Sequence, residues 1–449
     1  MTTALPASRL ILSESRPLRY FSFFLFYFAQ GLPSGLTTVG LAVWVAANGG
    51  SSTDVASIAV VAYLPWSWKF LIAFVIDRYS YLPMGRRRVW LILAQVLMSA
   101  GFIIAAVLAP GPQDMDVLLV VTFLVMAGGA TQDVAVDGMA VDILPEKEQG
   151  TASAWMFGGQ ATGSALSGAA AAAGLQYLGS ATTFLLYIPV LLIPTIYAVL
   201  IRERPGEKRF PWSEGQTSQI NRERVVEDWL SIFKITILSL IKGPSLIFVV
   251  AQSLMRTAAG MTVPLWPLLA TGFIGWDETT YGSTTSTIDL VIAGAGIAVG
   301  SFITARFGGR LSTVGLCAIH VVMVLFLTFG QAFWVVTSTF IAVYSVFALL
   351  SILSSICTNP LRMQLSDKRV SATQFTIYNS ISNLPISIGA GLFATMGGTD
   401  NLQQTLLVCG GLFAAAGVVF AILRMPPTEE EHAAGLAHVF DDGIEPKIP

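Results

Sequence analysis

The sequence predicts an all-α membrane protein, with twelve transmembrane helices in two six-helix pseudo-repeat bundles. Three observations predict it. Apolar residues make up 54% of the 449 positions and charged residues only 12%, against roughly 25% charged in soluble domains, and the mean hydropathy is +0.69. Twelve runs of about 20 predominantly apolar residues, the length a bilayer-crossing helix needs, fall into two groups of six. Lys and Arg occupy every second connection and are missing from the alternate ones, the bias that fixes the orientation of a polytopic chain.

The first six runs are 20–47, 55–76, 89–108, 117–144, 153–173 and 181–200. Arg9, Arg16 and Arg19 precede the first, Arg78 and Arg86 to Arg88 follow the second, and Lys147 follows the fourth. The first run is too long for a signal-peptide core and lacks a small-residue cleavage pattern, so it is expected to stay as a span. After it the connection 48–54 has no Lys or Arg, and neither does 110–116.

The linker 202–243 is polar and basic at its start. It then turns amphipathic, with Val226, Leu230, Phe233, Ile237 and Ile241 at three- and four-residue steps and Arg224, Glu227, Asp228 and Lys234 around the rest of the turn. Such a segment is expected to lie along the cytoplasmic interface, a short extra span being the alternative.

The second six runs are 244–270, 286–305, 311–329, 333–357, 372–396 and 406–423. Arg306 and Arg310 follow the second of these, Arg362, Lys368 and Arg369 the fourth, and Arg424 the last. Both termini are thus expected in the cytoplasm. The bundles are 1–201 and 244–425, and 426–449 reads as a solvated, disordered acidic tail. The halves look like copies: Asp77-Arg78 with Gly85 to Arg88 after the second span corresponds to Arg306 with Gly309 and Arg310 after the eighth, the acid being lost from the second copy.

Polar residues inside the spans carry the functional expectation, because a carboxylate at hydrocarbon depth costs about 2.5–3.5 kcal/mol on insertion scales. Asp133 and Asp137 are four apart and share one face of the fourth span, and Asp142 is near its cytoplasmic end. Lys69 and Asp137 both lie eight residues inside similar cytoplasmic boundaries, at a matching depth of ~12 Å. Two close carboxylates in a low-dielectric site should not both stay ionised. With Lys69 offsetting one, the other can hold a proton, as a relay requires. The alternative for the three residues is a fixed ion-pair lock, and for Asp142 either a gate or an interfacial position.

Arg256 is twelve residues into the seventh span, ~18 Å and so near the midplane; an anionic substrate group is its natural partner. Gln30, followed by Gly31 and Pro33, marks a breakable stretch of the first span that could line a cavity. Gln374, Asn379 and Asn383 on the eleventh span could bind polar substrate groups or hold helices together. Asp289, toward the outer end of the eighth, could gate or simply be solvated. His320, Cys317, Cys357 and Cys409 read as packing residues, as do Gly159, Gly163, Gly296 and Gly300. No metal-spaced cluster, nucleophile elbow or Walker loop is present, so no enzyme activity and no cofactor are implied. The net charge of −2 gives no footing for nucleic acid.

The six-plus-six plan with its Asp-Arg…Gly-Arg-Arg-Arg loop resembles the major facilitator superfamily, with Ala73 where that motif often has glycine. More narrowly, WKFLIAFVIDRYSYLPMGRRRVW, ATQDVAVDGMAVDILP with EKEQG, and SATQFTIYNS are similar to the AmpG muropeptide permeases and the related acetyl-CoA transporters. The chain departs from them in offering one amphipathic segment where many carry two further spans, and in having Arg256 where the family has a seventh-span lysine. The resemblance implies a major facilitator fold and proton-driven import of anhydro-muropeptides across the inner membrane, by a monomer in contact with membrane lipid. It also admits a siderophore or acetyl-CoA carrier, and a non-transporting receptor or scaffold is the alternative from another class. On this reading Asp133, Asp137 and Lys69 couple to protons and Arg256 and Gln30 meet the substrate. Asp77, Arg78, Arg86 and Arg306 then make and break cytoplasmic gate contacts.

Overall fold

A computed structural model describes residues 10–41, 44–45, 48, 52–223, 228–263, 265–276, 278–397 and 401–426. The expected acidic tail from residue 427 onward, Arg9, and Arg224, Val226 and Glu227 of the amphipathic pattern lie outside these residues. Among the described residues there is no β-strand; the isolated bridge of Ile11 to Arg202 ties the start of the chain to the linker.

Helices of twelve residues or more are numbered in chain order. The first half comprises α1 (Arg16–Gly35), α2 (Ser52–Arg78), α3 (Arg88–Leu108), α4 (Met115–Ile143), α5 (Glu146–Tyr177) and α6 (Gly179–Leu200). The linker contributes α7 (Trp229–Leu240), and the second half α8 (Gly243–Thr262), α9 (Glu278–Phe329), α10 (Thr337–Leu365), α11 (Ser371–Thr395) and α12 (Leu402–Ile422). α9 holds two passes, the predicted eighth and ninth spans. Gly308 bends it with φ at +72°, a conformation that a residue with a side chain adopts only at a cost. The molecule therefore makes twelve passes, six on either side of the linker.

Among the described residues, six helices are long and apolar enough to cross a membrane by composition alone, α3, α4, α6, α10 and α12 among them. The others of similar length, such as α1, α5, α8 and α11, fall short because they carry the glycines and polar residues of the interior. Their packing explains the composition. A Cβ on Gly35 would lie 2.0 Å from the Ser164 carbonyl oxygen and one on Gly163 2.2 Å from that of Phe28, so α1 and α5 meet backbone to backbone. The same seam recurs in the second half, where Gly389 would meet the Thr257 carbonyl at 2.0 Å and Gly260 that of Ile386 at 2.2 Å, joining α8 and α11. A further echo is that α1 runs into a π-helical turn at Leu36–Leu41, and that Leu269–Ile274 beyond α8 is π-helical as well. Gly296 and Gly300 are filled by Ile352 and Ile356 of α10, within 3.0 Å of where their Cβ atoms would stand.

The halves meet where α5 packs on α9 and α10, and where α11 packs on α2 and α4. Outward faces are apolar: Leu93, Ile104 and Val107 on α3 and Leu186, Ile193 and Ile196 on α6 are exposed, as lipid contact requires. α7 is ~18 Å long, too short to span. It starts at the Asp228 cap, where the Ser231 amide donates at 2.8 Å, and turns 72° from α8. Leu230, Phe233, Ile237 and Ile241 are exposed along it.

Candidate functional site

Three layers of polar side chains lie between the halves. The outermost closes the face that carries the basic connections. Asp77, at the end of α2, and Asp142, near the end of α4, are buried. Arg87 binds both, at 2.5 and 3.1 Å, and Arg86 binds Asp142 at 3.2 Å. These ties reach the other half: Asp77 accepts the Thr373 amide at 2.7 Å, Ser371 donates to Asp142 at 3.0 Å, and Arg86 donates to the carbonyls of Lys368 and Arg369. The arginine turn is itself anchored by the linker, since the Glu203 carboxylate accepts the amides of Arg86, Arg87 and Arg88 at 2.6–2.8 Å. Arg88 extends to the carbonyls of Ile201, Lys208 and Arg209.

Of the expected gate residues, Asp77, Arg86 and Asp142 are in this layer, whereas Arg78 and Arg306 are not. Arg78 stacks on Tyr79 at 5.1 Å and the exposed Arg306 on Phe307 at 5.6 Å. Arg87 stands where Arg78 was expected. The reason is the turn: Gly85, at φ +102° and against the Glu203 carboxylate, folds the loop so that the later arginines point inward.

The second layer centres on α4. Asp133 receives Lys69 at 2.6 Å and the Gln30 amide at 2.7 Å, and Lys69 also lies over the Trp66 ring at 5.3 Å. Asp137 receives the Tyr27 hydroxyl and the Asn379 amide, the latter at 3.0 Å. Asn379 in turn accepts Arg362 at 2.9 Å. With the Gln252 amide oriented so that its oxygen faces the cations, it accepts Arg362 at 2.9 Å and Arg256 at 3.3 Å. One hydrogen-bonded chain thus runs Asp137, Asn379, Arg362, Gln252, Arg256, from the first half into the second.

Three participants, Tyr27, Arg362 and Gln252, were not singled out for this site from sequence. Tyr27 is three residues before Gln30, on the same helix face, which is a signal the sequence does contain. Arg362 was placed in the connection after the tenth span, but α10 continues to Leu365 and buries it.

The third layer is a cavity of about 850 Å³ on the side away from the basic face. It is lined from α5 by Phe157, Gln160 and Ser164, from α8 by Arg256, from α9 by Asp289 and His320, and from α10 by Tyr344 and Phe347. Such a volume suits a small-molecule ligand. Arg256 reaches it and forms no ion pair among the described residues.

Several expected substrate contacts are elsewhere. Gln30 is spent on Asp133 and is not in the cavity wall. Gln374 clasps the α10–α11 connection, accepting the Asp367 amide at 2.7 Å and donating to Leu365 at 3.0 Å. Asn379 serves Asp137, and Asn383 is exposed away from the cavity. Asp133 and Asp137 do not line the cavity either; both are buried, and Asp137 connects to it through Asn379, Arg362, Gln252 and Arg256. Asp289 is eleven residues past the start of α9, beyond its polar first turns, and is exposed on the cavity wall. His320 stacks on Phe413 at 4.3 Å with Nδ1 2.9 Å from the Leu316 carbonyl, and the three cysteines are buried thiols.

Two six-pass halves are thus tied by a charged latch at one face and border a largely apolar cavity at the other. The model of the Major Facilitator Superfamily matches residues 20–390. The chain belongs to this superfamily. It is a multi-pass membrane transporter and not an enzyme. Among curated proteins this facilitator is 30% identical over 181 residues to the anhydromuropeptide permease of Escherichia coli strain K12, a match covering 40% of this chain and 36% of the permease. The chain thus aligns with little more than a third of that relative's length. Among solved structures, the facilitator FucP in the outward conformation superposes with a TM-score of 0.69 at 12% identity, over 92% of this chain and all of that one. A bacterial homologue of the iron transporter ferroportin, in an outward-facing state with soaked iron, gives 0.62 at 13% identity over 90% of this chain and 98% of its own. These likenesses show the fold.

Proposed function

We propose that this facilitator is a proton-coupled importer of anionic, cell-wall-derived anhydro-muropeptides, residing as a monomer in the cytoplasmic membrane with both termini inside. The observation that carries the coupling is the chain from Asp137 to Arg256. It joins a buried carboxylate of the first half to an unpaired guanidinium in the cavity through Asn379, Arg362 and Gln252. The partial match to the anhydromuropeptide permease supports the substrate class.

The retention of basic loops on the cytoplasmic side makes the latched face the inner one and the cavity outward-open. An anion entering from outside meets Arg256 first. Binding there draws the guanidinium away from Gln252, which frees Gln252 to hold Arg362 and loosens the grip of Arg362 on Asn379. Asp137 then takes a proton, losing the charge that fixed the Tyr27 and Asn379 donors. Asp133 keeps its Lys69 partner throughout, so only one of the two acids changes charge. With Asp137 neutral, α4 and α11 can separate, and the Asp77, Asp142, Arg86 and Arg87 latch opens toward the cytoplasm as the cavity closes outside.

The test is uptake into proteoliposomes with and without an imposed inward proton gradient, offering an anhydro-muropeptide, a ferric siderophore and acetyl-CoA. Gradient-dependent accumulation of the muropeptide is the expected result. Accumulation of one of the others instead would reassign the substrate. Binding of a ligand without any accumulation would indicate a receptor.

A further inference from the structure

The cavity holds a second charge that the proposed mechanism does not use. Asp289 projects from α9 onto the cavity wall, where its side chain is exposed to the space that Arg256 also lines. Its carboxylate has a single hydrogen-bonding neighbour among the described residues, the Tyr344 hydroxyl, 3.4 Å from both oxygens and at the outer limit of a hydrogen bond. No Lys or Arg among the described residues forms an ion pair with it, and Arg256 in the same cavity is not its partner. Two unlike charges thus face one space without neutralising each other.

The wall beside Asp289 is aromatic. Trp266, Tyr344 and Phe347 all line the cavity, and Trp266 packs edge-on against Tyr344 at 5.5 Å and Phe347 at 4.9 Å, which fixes their positions. A carboxylate among aromatic rings is the environment that recognises an ammonium or guanidinium, because the carboxylate supplies charge and ring faces attract a cation electrostatically. His320, also in the wall, is stacked on Phe413 at 4.3 Å.

We propose that Asp289, with Trp266, Tyr344 and Phe347, forms a subsite for a cationic group, so that the transported molecule is amphoteric, its anion held by Arg256 and its cation by Asp289. A purely anionic ligand would be drawn to Arg256 and repelled by Asp289. When the cavity closes and water leaves, a ligand bearing both signs leaves neither charge unpaired. The inference deepens the proposed function and rests on its placing the substrate in this cavity.

The full-length protein in proteoliposomes is offered three probes: an anhydro-muropeptide with a free amine on its peptide stem, the same molecule acetylated on that amine, and a free lysine-containing tripeptide. The wild type is expected to bind the free-amine muropeptide at least tenfold more tightly than the acetylated one. Asp289→Asn should abolish that preference, weakening the free-amine form and binding the acetylated form as tightly as before or more tightly because the repelling carboxylate is gone, and Asp289→Glu should retain it. An equal loss for both forms in Asp289→Asn, or no preference in the wild type, overturns the subsite while muropeptide import stands. Uptake of the tripeptide alone, sensitive to Asp289→Asn, keeps the subsite and removes the muropeptide assignment. Transport confined to a substrate with no cationic group overturns both.

Discussion

Asp77 of the first half accepts the backbone amide of Thr373 at 2.7 Å, in the first turn of a helix belonging to the second half, while Arg87 holds the same carboxylate at 2.5 Å. The start of α11 bears partial positive charge from its unpaired amides, so the carboxylate is stabilised there twice over. Opening this face requires the Thr373 contact to break, because it is the one of the two that crosses between the halves, whereas Arg87 and Asp77 move together.

Removing the Asp77 carboxylate should therefore shift the resting population. Asp77→Ala removes the carboxylate that holds the Thr373 amide across the interface; a hydrogen bond to a charged group is worth about 1.5–3 kcal/mol, and that loss falls on the latched form. A cysteine introduced at the buried Thr376 is expected to react with a soluble thiol reagent at least tenfold faster in Asp77→Ala than in the parent. An unchanged rate would mean that other contacts keep the face shut.

Asp137 is placed to carry the proton, and the substitution Asp137→Asn keeps its shape while removing its charge. Uptake driven by a proton gradient is expected to vanish, whereas exchange of labelled for unlabelled substrate across the membrane continues. Full gradient-driven accumulation in this variant would exclude Asp137 as the carrier.

Among the described residues, the Gln252 amide oxygen is the hydrogen-bonding partner of Arg256, at 3.3 Å. A charge-assisted hydrogen bond is worth about 1.5–3 kcal/mol, so Arg256→Ala should weaken an anionic ligand roughly 10- to 100-fold and a neutral analogue very little. Dissociation constants for the pair in detergent decide it, and equal losses would point to a packing role.

Outside the membrane, the linker glutamate Glu207 is buried beside Glu203, which pushes its carboxyl up from 4.5 to about 8. Its hydrogen-bonding partners are the Arg204 amide and the Asn221 side chain, both at 3.0 Å. The folded loop binds this proton more tightly than the unfolded chain does. Its stabilisation is complete below pH 4.5 and is lost as the pH climbs toward 8. The unfolding midpoint in detergent should fall between pH 5 and 8.5 in the parent and stay much flatter in Glu207→Gln; parallel decline in both would assign the slope to another group.

The twelve passes were legible because each is a long apolar run, and the reach of Lys69 to α4 was legible from depth alone, since helical rise converts residue counts into distance. The start of α9 was not: Thr279, Thr280, Ser283, Thr284 and Thr285 read as a loop, yet helical Ser and Thr can return their hydroxyls to the preceding turn, as Thr287 does to Ser283 at 2.8 Å. Partner choice was hidden as well. Gly85 marks a turn before Arg87, but what fixes that turn and so selects Arg87 over Arg78 is Glu203, more than a hundred residues downstream. Asn379 was suspected of touching substrate, and only the packing of α11 on α4 reveals that it faces Asp137.

The glycine seams of α1 with α5 and of α8 with α11 have one more consequence. Main chain presses on main chain along them, leaving no side chain that could swing aside and open a crevice toward the bilayer. Acyl tails and greasy solutes are thereby sealed off along both flanks, so traffic is channelled to the two mouths of the molecule. A single added methyl at Gly35 or Gly389 would spring that seal.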